Sequence, residues 1–248
     1  MAGIIRRRAA GVKGGPRPPG FRHNGVMRIV GLLPLLPLLL ACRLCAWSPS
    51  FHESQTLLAA RLTPQGMAGF LQAHRDELLQ GARGQANDQV PTVEEVEAQF
   101  KLIIGLSDGS VRPGRVVREL GVLAHQVELL TDPSAVRGTT ALRDSFEAYA
   151  DEKLPHLVLS REPFWAVHAA IDSRPVLLRW AKVKYERHEV LLGCFDETNG
   201  RRVGPWDDLS VPYAQLQLAY SNGVNATANL WILLWRAVGG TWVGAGTQ

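Results

Sequence analysis

The chain is poor in cysteine and in the alternation of apolar and polar residues that is typical of β-strands. Two of its 3 cysteines, Cys42 and Cys45, lie near the start, so Cys194 has no obvious partner and no disulfide framework is expected. The sequence contains no GxGxxG motif, no P-loop and no internal repeat. A disulfide-stapled domain, a dinucleotide- or P-loop-type fold and a repeat protein are therefore disfavoured.

Acidic residues are missing from the first 46 residues, which carry eight basic ones. The remainder of the chain holds 19 basic and 23 acidic residues, a formal net charge of −4, although the whole chain carries +4. Because the part expected to fold is mildly acidic, no basic nucleic-acid-binding surface is evident, and a protein that binds nucleic acid non-specifically is disfavoured.

An apolar run at residues 29–41 directly follows Arg28. Its length fits the hydrophobic region of a secretory signal and is short for a membrane span, and Pro34 and Pro37 interrupt it. We therefore expect an exported protein, periplasmic or extracellular. Met27, which directly precedes Arg28, is favoured over Met1 as the start of translation.

Residues 1–46 are interpreted as an N-terminal extension plus a signal or lipoprotein leader, and two processing sites compete within them. The sequence Leu39-Leu40-Ala41-Cys42 resembles a bacterial lipoprotein box, and cleavage there leaves Cys42 as a lipid-anchored N-terminus attached to the membrane. Cleavage after Ala46 instead makes Trp47 the first residue. Only the second site gives Trp47 a free amino group.

Helical periodicity dominates residues 47–248, which are interpreted as a single all-α, multi-helix domain. The capping box of Thr92 with Glu95 supports one of the helix starts. The sequon at Asn225 falls within the apolar last helix, so we expect it to be buried. The predicted helices cover residues 53–62, 63–82, 92–106, 111–131, 140–154, 162–192 with a break near 173–175, and 213–238.

The chain is organised around residues 118–133, RELGVLAHQVELLTDP. His125 lies inside an apolar helical band, and Glu128 follows three residues later, so both side chains project in nearly the same direction. One interpretation is a core histidine hydrogen-bonded to a nearby acid; the other is a pair that holds an ion or a substrate. The band itself consists of Leu120, Leu123, Ala124, Val127 and Leu130.

Several features around this helix occur in a particular order. Trp47 stands directly after a possible cleavage site with His52 close behind it, and a loop that begins near Gly81 ends at Asp88. The central helix then reads G-x-x-x-H from Gly121 to His125.

A proline at position 133 follows the central helix, and a later helix keeps Glu147 before the aromatic Tyr149. The order of all these features resembles the zinc-dependent phospholipase C and S1/P1 nuclease superfamily, over most of residues 47–240.

The resemblance implies a single multi-helix domain of the phospholipase C/P1 nuclease type. It also implies a secreted hydrolase of phosphate esters, with zinc ions that activate water and neutralise charge on the phosphoryl oxygens. The substrate is then a phosphodiester, either a phospholipid or a nucleotide. The metal ligands carried over by the resemblance are Trp47, His52, Asp88, His125 and Glu147.

Three positions depart from the family pattern. Leu129 stands where the central helix presents a bridging aspartate, Ala135 stands where the next histidine falls, and Arg143 replaces the histidine paired with Glu147. The fixed charge of Arg143 would repel a nearby metal, neutralise Glu147, or hold a phosphate or carboxylate. We therefore expect one or two zinc ions at most, and a site without metal is also compatible with the sequence.

Two functions follow from this pattern. One is a secreted zinc-dependent phosphoesterase with a reduced metal site. The alternative is a non-catalytic periplasmic or lipid-anchored helical protein that kept the fold and lost the metals. An unrelated helical domain with an accidental likeness ranks last, because the order of the features is harder to obtain by chance than any one of them.

Overall fold

The computed structural model describes residues 47–84, 89–136, 139–163, 166 and 170–240, which belong to one compact unit. The expectation of a mostly helical fold is confirmed. The described residues form eight α-helices: α1 (Pro49–Leu62), α2 (Gln65–Ala73), α3 (Arg75–Ala82), α4 (Val93–Leu106), α5 (Pro113–Thr131), α6 (Thr140–Lys153), α7 (Arg174–Leu192) and α8 (Val211–Ala237). A 3₁₀ turn (Leu154–His156) follows α6, and β1 (Phe195–Asp196) pairs antiparallel with β2 (Arg201–Arg202).

Two predicted helices differ from the observed ones. The predicted helix 63–82 is two helices, because His74 leaves the helical region at φ −121° and ψ 38°. The predicted helix 162–192 begins only at Arg174, where Pro175 occupies the first turn and needs no hydrogen-bond partner for its nitrogen. Within the predicted stretch, the amides of Glu162 and Ala166 instead donate to Asn225 and Asn229 on α8.

Two glycines bring α3 and α5 into backbone contact. A Cβ atom on Gly81 would lie 2.0 Å from the carbonyl oxygen of Arg118, and one on Gly121 would lie 2.1 Å from that of Leu78. Any larger residue at either position would force the helices apart. The close packing of α3 against α5 therefore explains why the G-x-x-x-H pattern has a glycine at position 121.

Helix α5 lies at the centre of the described helices. It contacts α1, α3, α4, α7 and α8, so the polar side chains of His125, Glu128 and Thr131 are buried along with its apolar ones. Most of the predicted apolar band lies in the main core cluster, as expected. His125 is 4% exposed and Glu128 is fully buried, which means that both need partners within the protein.

A row of polar side chains on α8 binds the backbone of residues 157–163, here called the strap. Gln217 bonds both the amide and the carbonyl of Val158, and the Ser160 amide donates to Ser221 Oγ at 3.0 Å. Four residues advance a helix by about 6 Å and two residues advance an extended chain by about 6.6 Å, so the two periods nearly match.

Asn225 continues this row at the same four-residue spacing. Its Nδ2 donates to the Ser160 carbonyl at 2.8 Å, and the Glu162 amide donates to its Oδ1 at 3.4 Å. The expectation that the Asn225 sequon is buried is confirmed, since its side chain is 1% exposed. Among the described helices, α8 included, none is both long and apolar enough to span a membrane.

Replacing Gly121 with alanine tests the contact between α3 and α5. We expect Gly121→Ala to lower the free energy of unfolding by about 2–3 kcal/mol, because the added methyl group overlaps the Leu78 carbonyl. Gly69 in α2 has no heavy atom near the position of an added Cβ, so Gly69→Ala is the matched control and should stabilise by about 0.5–1 kcal/mol. Equal effects in urea unfolding would contradict the close crossing.

Replacing Asn225 with alanine tests the binding of the strap to α8. The variant leaves the Glu162 amide and the Ser160 carbonyl without their partners, and we expect a loss of about 1–3 kcal/mol. Hydrogen exchange at the Glu162 amide should accelerate at the same time. Asn199→Ala, which alters an exposed asparagine of the β1–β2 turn, serves as the control and should leave that exchange rate unchanged.

Candidate functional site

His52 and Glu128 meet in the core although they lie 76 residues apart in sequence. Ser48 caps α1 by accepting a hydrogen bond from the Phe51 amide, which starts the helix just before His52. His52 Nδ1 lies 2.5 Å from Glu128 Oε2, and Thr56, one turn further along α1, donates to Glu128 Oε1 at 3.1 Å. With His125, these residues form what we call the histidine cluster.

Burial sets the protonation of this pair. It lowers the pKa of His52 well below its usual value, and the nearby His125 lowers that pKa further. Burial also raises the pKa of Glu128 well above its usual value, and the hydrogen bond from Thr56 offsets part of this. Both directions favour a neutral imidazole whose Nδ1 accepts a hydrogen bond from a protonated carboxyl group.

The other ring nitrogen of His52 is buried and makes no hydrogen bond with the described residues. In the neutral pair this Nε2 carries the ring proton. A metal ion on Nε2 requires the pair to lose one proton, after which Nδ1–H donates to the Glu128 carboxylate. A histidine held in this way by a carboxylate is a common arrangement in metal sites.

His125 lies beside His52, with ring centroids 4.2 Å apart and ring planes inclined at 54°. Two of the predicted ligands are therefore brought together. Within the described residues, however, no group of three or more His, Cys, Asp or Glu side chains is placed to hold a metal ion. A catalytic zinc usually takes three protein ligands and a water, so these residues do not make up a complete catalytic zinc site.

The other predicted ligands lie apart from this pair or outside the described structure. The Trp47 ring is 1% exposed and stacks on Phe51 at a centroid distance of 4.3 Å, next to Phe146, so its side chain anchors the start of α1. Asp88 lies outside the described residues. The roles of Trp47 and Asp88 as metal ligands stay predictions.

Glu147 binds Arg143 one turn before it on α6. Arg143 Nε donates to Glu147 Oε1 at 3.1 Å, and both side chains are mostly buried. Burial raises the pKa of Glu147 to about 7, although the charge and hydrogen bond of Arg143 lower it and Asp132 raises it further. Arg143, which stands where the family pattern has a histidine, is thus the cation paired with this carboxylate.

Asp132 and Lys184 add a second pair of opposite charges near the first. Asp132 is fully buried at the end of α5, and the amide and hydroxyl groups of Ser134 each donate to its Oδ1 at 2.8 Å. Burial raises the pKa of Asp132 to about 6, against the effects of Ser134, Lys184 and Arg143. We call Asp132, Arg143, Glu147 and Lys184 the charged cluster.

Lys184 on α7 reaches the end of α5. Its Nζ donates to the Leu129 carbonyl at 3.1 Å, which satisfies one of the carbonyl groups left open at a helix C-terminus. Burial lowers the pKa of Lys184 to about 8, with Asp132 opposing this shift. The side chains of Leu129 and Ala135 pack with Val90, so both positions are occupied by apolar contacts.

The sequence interpretation missed the roles of Thr56, Asp132 and Lys184. Lys184 and His188 lie one turn apart on the buried face of α7, and His188 Nδ1 donates to the Pro133 carbonyl at 2.8 Å. Two polar residues at four-residue spacing between buried apolar ones are the only sequence signal for this contact. Their partners on α5 are 55 residues away in sequence.

Replacing Glu147 with glutamine tests the raised pKa of its carboxyl group. The folded pKa of about 7 exceeds the unfolded value of 4.5, so the folded state binds more protons and stability falls as the pH rises between them. From pH 5 to pH 8, we expect the wild type to lose about 1–2 kcal/mol more of its unfolding free energy than Glu147→Gln. Urea unfolding of both proteins at the two pH values measures this.

The control for this measurement is Glu186→Gln, which alters an exposed glutamate of α7. It should keep the pH dependence of the wild type. If Glu147→Gln also kept it, the carboxyl group of Glu147 would not titrate in the way that its burial implies.

The two polar clusters differ in what they offer chemically. The histidine cluster has one buried imidazole nitrogen without a hydrogen bond, and the charged cluster has two cations beside two carboxyl groups that burial makes harder to ionise. Comparison of the chain with family models, curated proteins and solved structures gives no match, so neither cluster takes a role from a relative.

Proposed function

We propose that this chain is an exported binding protein that keeps the helical scaffold of the zinc-dependent phospholipase C and S1/P1 nuclease superfamily without its catalytic metals. The observation that carries this proposal is the charged cluster. Arg143, at the position of a histidine ligand, binds Glu147, which is itself one of the ligands carried over by the resemblance. A guanidinium group at 3.1 Å already neutralises this carboxylate and repels a second cation.

The surroundings of Leu129 support the same function. The side chain at this position is apolar and packs with Ala135 and Val90, while its carbonyl accepts a hydrogen bond from Lys184. A bridging carboxylate holds adjacent metal ions by its negative charge, and here a lysine ammonium group lies against the same turn of α5. Two side-chain cations therefore supply positive charge that bound metal would supply in a hydrolase of this type.

The positions of the retained residues support the scaffold. Trp47 and His52 open α1, His125 lies on the central helix α5, and Glu147 lies on α6, which is the order that the resemblance requires. The leader of residues 1–46 supports export to the periplasm or the cell exterior, with membrane attachment if processing occurs before Cys42.

A second candidate function is a phosphodiester hydrolase with a single zinc ion. The observation in its favour is His52 Nε2, a buried nitrogen without a hydrogen bond beside the ring of His125. In that case His52 and His125 would be two of the ligands, Glu128 would orient His52, and Asp88 or the Trp47 amino group would complete the set. Bound zinc would supply an activated water for attack on phosphorus.

Zinc content and hydrolysis of a chromogenic phosphodiester distinguish the two functions. The purified mature protein should contain substoichiometric zinc and should hydrolyse bis(p-nitrophenyl) phosphate no faster than buffer, before and after zinc is added. Stoichiometric zinc with hydrolysis that His52→Ala and His125→Ala abolish would overturn the proposal in favour of the hydrolase.

A reversal variant provides the control for the scaffold itself. The combination of Leu129→Asp, Ala135→His and Arg143→His restores the family pattern at its three departures. It should bind zinc more tightly than the wild type in equilibrium dialysis, because it adds three ligands and removes a cation. A folded reversal variant with no gain in zinc affinity would contradict the inherited scaffold.

A further inference from the structure

A pocket of about 400 Å³ lies between the start of α4, the end of α5 and the middle of α7. This volume falls in the range of small-molecule sites in proteins. Tyr185, which is 59% exposed, also lines the pocket. Most of the wall is aliphatic and includes Val90, Pro91, Val93, Leu130, Ala135 and Ala181.

Lys184 is the cationic residue of this wall. Its side chain is 3% exposed, and one of its three N–H groups is donated to the Leu129 carbonyl. The described residues provide no hydrogen-bond acceptor for the other two. A buried ammonium group with unused donors is costly, and an anionic group in the pocket would satisfy it.

The charged groups around Lys184 are bound to other partners and do not occupy its remaining N–H groups. Asp132 faces it from the end of α5, but both the amide and the hydroxyl group of Ser134 already bind that carboxylate. Arg143 adds positive charge from α6 and is paired with Glu147 on its own helix. His188, one turn along α7, is occupied by the Pro133 carbonyl. Each of these described neighbours of Lys184 therefore has a partner other than its ammonium group.

We propose that this pocket binds a small amphiphilic anion, a carboxylate or phosphate monoester with a short aliphatic body, and that Lys184 binds its head group. The aliphatic wall packs against the aliphatic body of the ligand, and the ammonium group binds its anionic head group. This inference rests on the proposed function, because it names the class of ligand that a binding protein with this scaffold would hold. Lys184 then has two roles, since it also caps the C-terminal end of α5.

Octyl phosphate is the probe for this pocket. Isothermal titration calorimetry should show saturable binding of octyl phosphate or octanoate, and the tighter of the two identifies the head group as phosphate or carboxylate. Inorganic phosphate and octanol, which represent the head and the body alone, should bind at least tenfold more weakly. Equal binding of octanol would show a merely apolar pocket and would overturn the role of Lys184.

Lys184→Met keeps the length of the side chain and removes its charge. It should weaken binding of the preferred anion at least tenfold. Lys182→Met removes the same charge from an exposed lysine of the same helix and should change binding less than twofold. Equal binding by wild type and both variants would contradict the proposal.

A second measurement needs no variant. In wild-type protein with ¹³C-labelled lysine, NMR titration gives the pKa of Lys184, which burial lowers to about 8 in the free protein. A bound anion at the ammonium group should raise this pKa, whereas a lysine that only caps α5 would keep it unchanged. The recovered octyl phosphate should be intact; its hydrolysis to octanol would contradict the proposed function while leaving the pocket in place.

Discussion

The close crossing of α3 and α5 at Gly81 and Gly121 is the constraint on which the rest of the structure depends. Backbone contact at this crossing draws α5 into the middle of the fold, where five other helices surround it. The buried polar side chains in the second half of α5 are then cut off from water and must find partners inside. His52 supplies one for Glu128 across the α1–α5 contact, and the two side chains can share a hydrogen bond without separating charge in the core.

The same burial explains the end of α5. The last carbonyl groups of a helix lack backbone partners within it, and Lys184 of α7 provides one for the Leu129 carbonyl. Asp132, Arg143, Glu147 and Lys184 then form a compensated set in which each cation offsets the cost of a buried carboxylate. In a metal-dependent relative this compensation would come from bound ions. Here side-chain cations supply it.

The sequence predicted what depends on local periodicity and missed what depends on distant contacts. Most helices, the buried face of α5 and the buried sequon at Asn225 follow from apolar spacing and capping signals, and all were confirmed. The pairing of Glu128 with His52 rather than with its neighbour His125 joins residues 76 positions apart, so spacing along the central helix could not indicate it. Only the last two residues of the strap, 162 and 163, were predicted as helix, because a sequence does not show that a side chain of α8 binds the Glu162 amide.

The charge state of the buried carboxyl groups ties the proposed function to the structure. If Arg143 and Lys184 neutralise Glu147 and Asp132 in place of metal ions, then these carboxylates should not bind added zinc. The most direct measurement is an NMR titration of zinc into protein whose aspartate and glutamate carboxyl groups carry ¹³C. The signals of Asp132 and Glu147 should stay at the same chemical shifts throughout. A saturable, zinc-dependent shift of either signal would contradict the replacement of metals by side-chain cations.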